Sequence, residues 1–311
     1  MGAGLSAAAL GLGTAAALIG SRARDDDKAV PGQSFKVDGR KVHAKISGAG
    51  PDVILIHGAS GNLFDMTFDL SQKLATNHRV IAFDRPGMGL SERLNDRGES
   101  PREQAMHLAK AADMIGVRKA VIVGHSYGGA VALAWGLERP DQAAGLVSLA
   151  GAAMPWPGPL SSWYAIAGSG IGDHLLVPIL SRLVPDSYVE SAAKGVFAPN
   201  PVPDGYADHI RPDLVLAADS IVANARQVGS LKPHLREMSP LYNTLSMPIE
   251  ILHGKADTTV PAKIHSEPLS QIAPNANLTL LDGIGHMPHH AALEETVKTI
   301  ERAVARASIT S

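Results

Sequence analysis

The sequence contains no cysteine among its 311 residues. That absence excludes disulfides, thiolate metal sites and a cysteine nucleophile, and it leaves the redox compartment open. The sequence also lacks a large excess of either charge, because its 28 basic and 30 acidic residues leave a formal net charge of −2. Nucleic acid is therefore not expected as a partner. The remaining composition, 45% hydrophobic and 19% charged, is typical of a folded globular protein.

Charged side chains are missing from residues 2–20, which read GAGLSAAALGLGTAAALIG. As a helix rising about 1.5 Å per residue, this run would span roughly 27–30 Å, close to the thickness of a bilayer core. The same region also matches a signal peptide cleaved near Ser21–Ala23 and the N-myristoylation pattern MGAGLS. We predict membrane association through residues 2–20, with an exported or a cytoplasmic protein as the alternatives. Residues 1–33 then comprise this apolar segment and a polar linker.

From residue 34 onward, short apolar runs alternate with longer segments of helical pattern. The candidate strands are 41–47, 52–58, 79–84, 119–124, 145–151, 248–254 and 277–283. The candidate helices are 64–76, 101–115, 126–139, 261–273 and 288–305. Continuous apolar strands that alternate with helices are typical of parallel sheets covered on both faces. The sequence therefore predicts an α/β fold with a mostly parallel central sheet flanked by helices.

The alternation stops in residues 152–247, where Pro, Gly, Trp and Ser are frequent and no convincing strand follows. We predict that this stretch is a helical cap inserted into a core formed by residues 34–151 and 248–306. Its apolar side chains, among them Trp156, Trp163, Tyr164 and the run 174–184, either line a pocket for an apolar substrate or pack the cap onto the sheet.

Ser126 stands between glycines in GHSYG, residues 124–128, directly after a predicted strand and before a predicted helix. The G-x-S-x-G pattern in this setting is typical of a nucleophile elbow, a sharp turn that exposes the serine hydroxyl. The helix that follows favours negative charge developing near its N-terminus. The sequence therefore predicts Ser126 as a nucleophile.

A serine hydroxyl needs a base, and the base needs an orienting carboxylate. In this architecture the chain order is Ser, then Asp or Glu, then His. Asp257 in HGKADTTVP and His286 in GIGHMPHH both follow predicted strands and fill these two roles. Asp282 is the rival carboxylate. A metal site formed by His286, His289 and His290 is the alternative use of the histidines, although Pro288 and the loop setting disfavour it.

An oxyanion that develops during acyl transfer needs preorganised N–H donors. One predicted donor is the backbone N–H of Tyr127, directly after the nucleophile. The other is expected from the loop HGASGN, with Ala59 as first choice and Ser60 as second. His125, inside the elbow, is expected to point into the protein interior.

Five motifs of this chain together resemble those of the α/β-hydrolase fold superfamily: LIHGASGN, DRPGMGLSE, GHSYG, HGKADTTVP and GIGHMPH. The resemblance spans roughly residues 34–305 and includes a cap insertion. It implies that Ser126, Asp257 and His286 are nucleophile, orienting acid and base. The serine in the elbow departs from the dehalogenase and epoxide-hydrolase branches, which carry Asp there.

These observations predict a serine hydrolase that acts on a carboxylic ester with an apolar portion. No metal or organic cofactor is expected, and the partner is a small-molecule substrate. The alternatives on the same triad are a C–C bond hydrolase, an amidase, an acyltransferase and a cofactor-free haloperoxidase. A non-catalytic binding protein on the same fold is disfavoured by the intact Ser, Asp and His. The sequence leaves the oligomeric state open.

Overall fold

The computed structural model describes residues 30–159, 162–170, 177, 181, 184 and 187–309. Within these residues, eight strands form one sheet in the order β1-β2-β4-β3-β5-β6-β7-β8. The strands are β1 (Gln33–Val37), β2 (Arg40–Ser47), β3 (Asp52–Ile56), β4 (Arg79–Phe83), β5 (Ala120–His125), β6 (Ala143–Leu149), β7 (Ile249–Gly254) and β8 (Ala276–Leu281). β1 pairs with β2 and β2 with β4 in antiparallel fashion, and every other neighbouring pair is parallel. The predicted α/β class with a mostly parallel sheet is confirmed.

The helices cover both faces of the sheet or form the insertion between β6 and β7. They are α1 (Leu63–Thr67), α2 (Leu70–Leu74), α3 (Pro101–Met114), α4 (Tyr127–Glu138), α5 (Ser162–Ala167), α6 (Ser187–Phe197), α7 (Tyr206–His209), α8 (Pro212–Val215), α9 (Ala218–Met238), α10 (Ser266–Ile272), α11 (Pro288–Ala291) and α12 (Leu293–Ile309). A 3₁₀ helix, Ser239–Thr244, follows α9.

Alternation along the buried strands divides the core into two layers. Ile54 and Ile122 share one cluster with Trp135 of α4, whereas Leu55 shares the other with Ile300 of α12. Successive strand residues point to opposite faces, so both faces must be apolar. This explains why the central strands are continuous apolar runs.

Local chemistry accounts for the differences from the predicted elements. β1 went unpredicted because Gln33–Val37 holds few apolar residues, and it is stabilised by pairing across the Asp38–Gly39 turn. The predicted helix 64–76 is divided, since Asp69 leaves helical geometry (φ −127°, ψ −39°) and begins α2. The helix predicted over 261–273 begins only at Ser266. Ala292 (φ −139°) separates α11 from α12.

The insertion between β6 and β7 is helical in every element that the structure describes there. Phe197, Tyr206 and Ile210 of the insertion share a buried cluster with Met287, which follows His286 in the core. The insertion therefore packs on the part of the core that carries the predicted base. Most of the run 174–184 lies outside the described residues. β1 begins one residue before the predicted start of the core at 34, and α12 extends beyond its predicted end at 306.

The predicted membrane segment, residues 2–20, lies outside the described residues. Within the described ranges, none of the helices combines the length and apolar character that crossing a membrane requires.

Candidate active site

Ser126 occupies the sharp turn between β5 and α4. Its backbone has φ 52° and ψ −117°, a region that residues with a side chain rarely adopt, so the turn is strained. Glycine is needed on both sides of it. A Cβ at Gly124 would overlap the carbonyl oxygen of Gly128, and one at Gly128 would overlap that of Ile56. The turn thus depends on glycine at these two positions, because the backbone segments approach each other too closely for a side chain to fit.

The N-terminus of α4 lies directly at Ser126. The Tyr127 N–H is at the first helical position, which has no acceptor within the helix. We find no acceptor for it elsewhere in the described part of the chain. The carbonyl oxygen of Ser126 accepts from Gly129 N (2.9 Å) and Ala152 N (3.0 Å), which fixes the turn. The Tyr127 N–H is therefore free to bind a ligand oxygen.

Asp257 and His286 meet although 29 positions separate them. The Nδ1 of His286 lies 2.7 Å from Oδ2 of Asp257, and both side chains are buried. Because a carboxylate only accepts hydrogen bonds, Nδ1 carries a proton, and in the neutral imidazole Nε2 then has the free lone pair. This is the tautomer that a general base requires.

Asp257 is itself held by three further groups. Its Oδ1 accepts from the N–H groups of Thr259 (2.8 Å) and Val260 (2.9 Å). Its Oδ2 also lies 3.0 Å from Nε2 of His253. Burial raises the pKa of Asp257, but the hydrogen bonds from His253 and His286 outweigh it and hold that pKa well below its usual range. The carboxylate is thus a fixed anion beside the imidazole.

His125 connects the elbow to the loop that carries His286. Its Nε2 donates to the carbonyl oxygen of His286 at 2.9 Å, and the two ring centroids are 4.9 Å apart. His125 is 3% exposed, so it points into the interior as expected. The residue before Ser126 therefore fixes the backbone of His286.

The loop after β3 approaches Ser126 closely. A Cβ built on Gly58 would lie 3.1 Å from Cβ of Ser126. The N–H of Ser60, the second choice as oxyanion donor, is occupied, because it donates to Oδ1 of Asn224 at 2.7 Å. Within the described residues the Ala59 N–H has no acceptor. Of the two candidates in this loop, only Ala59 offers a free donor.

A model of the alpha/beta hydrolase family matches residues 53–299 of this chain. The chain belongs to this family. It is 26% identical to the 2-hydroxymuconate semialdehyde hydrolase of Pseudomonas putida over 286 residues, which are 89% of this chain and 95% of that protein.

Two solved structures support the same fold. One is a thermophilic esterase from Thermogutta terrifontis, with a TM-score of 0.71 and 20% identity over 89% of this chain and 99% of that one. The other is a membrane phospholipase A, with a TM-score of 0.69 and 21% identity over 98% of this chain and 96% of that one. At these identities the likeness shows the fold alone.

In this hydrolase-family chain, the rival carboxylate Asp282 has no contact with His286 among the described residues. Its side chain is 85% exposed, and its Oδ1 lies 2.8 Å from Nζ of Lys255. The carboxylate that the structure brings to His286 is Asp257.

The three histidines of the alternative metal site do not converge. His286 faces Asp257, whereas Nε2 of His289 and Nε2 of His290 lie 3.2 and 3.0 Å from the oxygens of Asp65. The Tyr206 hydroxyl also donates to Asp65, at 2.8 Å. Burial raises the pKa of Asp65, but the two histidines hold it well below its usual range.

Asp65, His289 and His290 do place three ligand-type atoms within 4.8 Å of one another. Two imidazoles and a carboxylate are donors that suit zinc. Metal-bound imidazoles, however, almost always donate their second N–H. Nδ1 of His289 and Nδ1 of His290 have no hydrogen-bond partner within the described residues. The cluster fits a buried carboxylate with three donors better than a metal site.

Buried histidines make the stability of this protein sensitive to acid. Burial lowers the pKa of His57, His265 and His289 to about 4. An unfolded histidine titrates near 6.5, so between about pH 6.5 and 4 the unfolded chain binds more protons than the folded one. The free energy of unfolding should therefore decrease as the pH is lowered through this window.

We expect this fall to be on the order of a few kcal/mol between about pH 7.5 and 4.5, measured by urea unfolding at each pH. His265→Gln removes one of these three histidines and should make the unfolding free energy fall less steeply as the pH is lowered. His234→Gln, on the part-exposed surface of α9, is the matched control, because it makes the same exchange without removing a buried imidazole. An unfolding free energy that is constant across the window would contradict the prediction.

Sequence reasoning missed the groups that support the triad and the loop after β3. His253 lies in the quoted motif HGKAD, four positions before Asp257, so its proximity to the acid could have been noticed. Asn224 and Asp65 carry no such signal, because their partners are far away in the chain.

Proposed function

We propose that this protein hydrolyses carboxylic esters with an apolar portion through an acyl-enzyme on Ser126. The observation that carries the proposal is the 2.7 Å contact between His286 and Asp257, two buried side chains from separate loops. Both loops follow strands of the sheet at the same edge as the strained turn of Ser126. Ligands of open α/β sheets bind at that edge.

In the acylation step, Ser126 Oγ attacks the ester carbonyl carbon while Nε2 of His286 takes the hydroxyl proton. Asp257 holds the imidazole with Nε2 unprotonated and stabilises the imidazolium that forms. The tetrahedral intermediate then collapses, and the imidazolium gives its proton to the departing alkoxide oxygen. The products of this half-reaction are the alcohol and the acyl-enzyme.

In the deacylation step, His286 takes a proton from water, and the hydroxide oxygen adds to the acyl carbonyl. Collapse of the second intermediate breaks the bond to Ser126 Oγ, which regains its proton from His286. The N–H groups of Tyr127 and Ala59 bind the oxyanion in both steps, since both are free and lie beside the serine.

A C–C bond hydrolase is the second candidate. It is favoured by the similarity over 89% of the chain to the P. putida protein named 2-hydroxymuconate semialdehyde hydrolase. The same triad serves either bond, so the two candidates differ in the pocket rather than in the catalytic residues.

The test has two parts. A fluorophosphonate probe should label the wild-type protein at Ser126, as located by mass spectrometry. The protein is then assayed on esters of increasing acyl length, on the matching anilides and on 2-hydroxymuconate semialdehyde. For the esters, kcat/KM should rise with chain length, because each buried CH₂ adds up to about 0.8 kcal/mol of binding. Cleavage of the semialdehyde alone would favour the second candidate, and no labelling would overturn both.

We also propose that residues 2–20 attach the protein to a membrane. The support is their uncharged sequence, which as a helix would be about as long as a bilayer core is thick. Full-length protein should sediment with membranes, and a variant that begins at Pro31 should stay in the supernatant with full activity. Gly2→Ala, which removes the myristoylation site, is the matched control and should still sediment. Intact full-length chain in the supernatant would contradict the proposal.

A further inference from the structure

We propose that Asn224, on helix α9 of the insertion, is a positioning residue for the oxyanion hole. This inference rests on the proposed function, because it concerns the loop that supplies one of the two oxyanion donors. Asn224 does not act on the substrate in this proposal. It acts through Ser60, the neighbour of Ala59.

The Asn224 amide binds two groups of Ser60 at once. Its Oδ1 accepts the Ser60 backbone N–H at 2.7 Å, and its Nδ2 donates to Ser60 Oγ at 2.9 Å. Asn224 is 7% exposed, whereas Ser60 lies at the surface. A buried amide from the insertion therefore holds an exposed residue of the loop by both its backbone and its side chain.

The backbone conformation of Ser60 explains why the loop needs these two hydrogen bonds from Asn224. Ser60 has φ 54°, in the left-handed region that a residue with a Cβ rarely occupies. A short loop with such a residue adopts one geometry only when surrounding contacts determine it. The N–H of Ala59 directly precedes this residue, so its direction depends on the backbone that Asn224 fixes.

The same helix also holds the start of this loop through a buried cation. The Arg85 guanidinium donates to the carbonyl oxygens of His57 (3.1 Å) and Gly58 (2.9 Å). Oε1 of Gln227, one turn after Asn224 on α9, accepts from Arg85 at 2.7 Å, while its Nε2 donates to Glu99 at 2.7 Å. The helix position relative to the loop is thus fixed at a second point.

These contacts assign different roles to the two N–H groups of the loop. The Ser60 N–H is consumed by Asn224 and is not available to substrate. The Ala59 N–H has no acceptor within the described residues. Asn224 thereby leaves Ala59 as the residue of this loop whose N–H can bind the oxyanion. Because Asn224 belongs to the insertion, catalysis depends on how the insertion packs on the core.

The test compares Asn224→Ala with Ser60→Ala and with Asn277→Ala. A small displacement of a catalytic group can cost up to about 10²-fold in rate, so we expect Asn224→Ala to lower kcat by about ten- to a hundredfold with KM nearly unchanged. Affinity for an alkyl boronic acid, which forms a tetrahedral adduct with the serine, should fall by the same factor as kcat/KM. Ser60→Ala removes only the Oγ contact and should give a smaller loss in the same direction.

Asn277→Ala is the matched control, because it removes an amide contact to Glu250 (3.0 Å) on β7, away from the loop. It should change the melting temperature but not kcat or boronate affinity. Asn224→Ala with wild-type kcat and boronate affinity would overturn the inference. If Asn224→Ala does not fold, wild-type values for Ser60→Ala would overturn it instead.

Labelling of the wild type distinguishes a failure of the role of Asn224 from a failure of the proposed function. Fluorophosphonate reaction at Ser126 combined with unchanged kcat in Asn224→Ala means that only the role of Asn224 fails. Absence of labelling in the wild type means that the proposed function fails, and the role of Asn224 fails with it.

Discussion

Ser126→Ala is expected to lower kcat for ester hydrolysis by about 10⁴–10⁶, because the remaining groups cannot supply a nucleophile. The N–H groups of Tyr127 and Ala59 would still bind the carbonyl oxygen, and the imidazole of His286 would still carry its proton on Nδ1. Substrate affinity and folding should therefore be preserved. Steady-state kinetics on the best ester, with probe labelling and thermal unfolding, measures these quantities.

The matched control for this variant is Ser47→Ala on β2. Ser47 is half-buried, whereas Ser126 is buried, and Oγ of Ser47 lies 3.2 Å from Oγ of Ser71, on the side of the sheet formed by the antiparallel strands. The control should keep both kcat and labelling. A Ser126→Ala protein with activity within tenfold of the wild type would refute the nucleophile, whatever the behaviour of the control.

Asp257→Asn is expected to lower kcat by about 10³–10⁴. An Asn amide is the same size as the carboxylate, but its NH₂ group is a donor and cannot accept the hydrogen bond from Nδ1–H of His286. The imidazole then favours the tautomer with its proton on Nε2, which cannot take the proton of Ser126. The anion that stabilises the imidazolium is also lost. Measurement of kcat and KM separates this effect from binding, which should change little.

Asp282→Asn provides the comparison that decides between the two carboxylates. Asp282 is 85% exposed and pairs with Lys255, so its loss should leave kcat within about twofold of the wild type, as for most exposed ion pairs. A larger loss of kcat in Asp282→Asn than in Asp257→Asn would identify Asp282 as the acid and refute the assignment.

The fold was predictable, and candidate site residues could be named, because both signals are local. A buried parallel strand is a continuous apolar run, and a turn that brings two backbones together needs glycine. Both features are visible around Ser126 without any knowledge of the rest of the chain. The chain order of Ser126, Asp257 and His286 follows from the positions of their strands. These elements were therefore in reach of the sequence alone.

The supporting contacts were not predictable because they join segments far apart in the chain. Asn224 and Ser60 are 164 positions apart, and Tyr206 and Asp65 are 141 apart. An asparagine inside a helix or an aspartate in a short helix has no local pattern that names its partner. The distances between such groups are set by how the insertion packs on the core.

The sequence by itself determined seven of the eight strands, their order along the chain and the residues at their ends. The tertiary structure alone decided which carboxylate meets His286, which N–H of the loop is free and which side chain fixes that loop. The physical reason is the range of the interactions. Backbone propensity and apolar periodicity act over a few residues, whereas a hydrogen bond depends on tenths of an ångström between groups that only the packed core brings together.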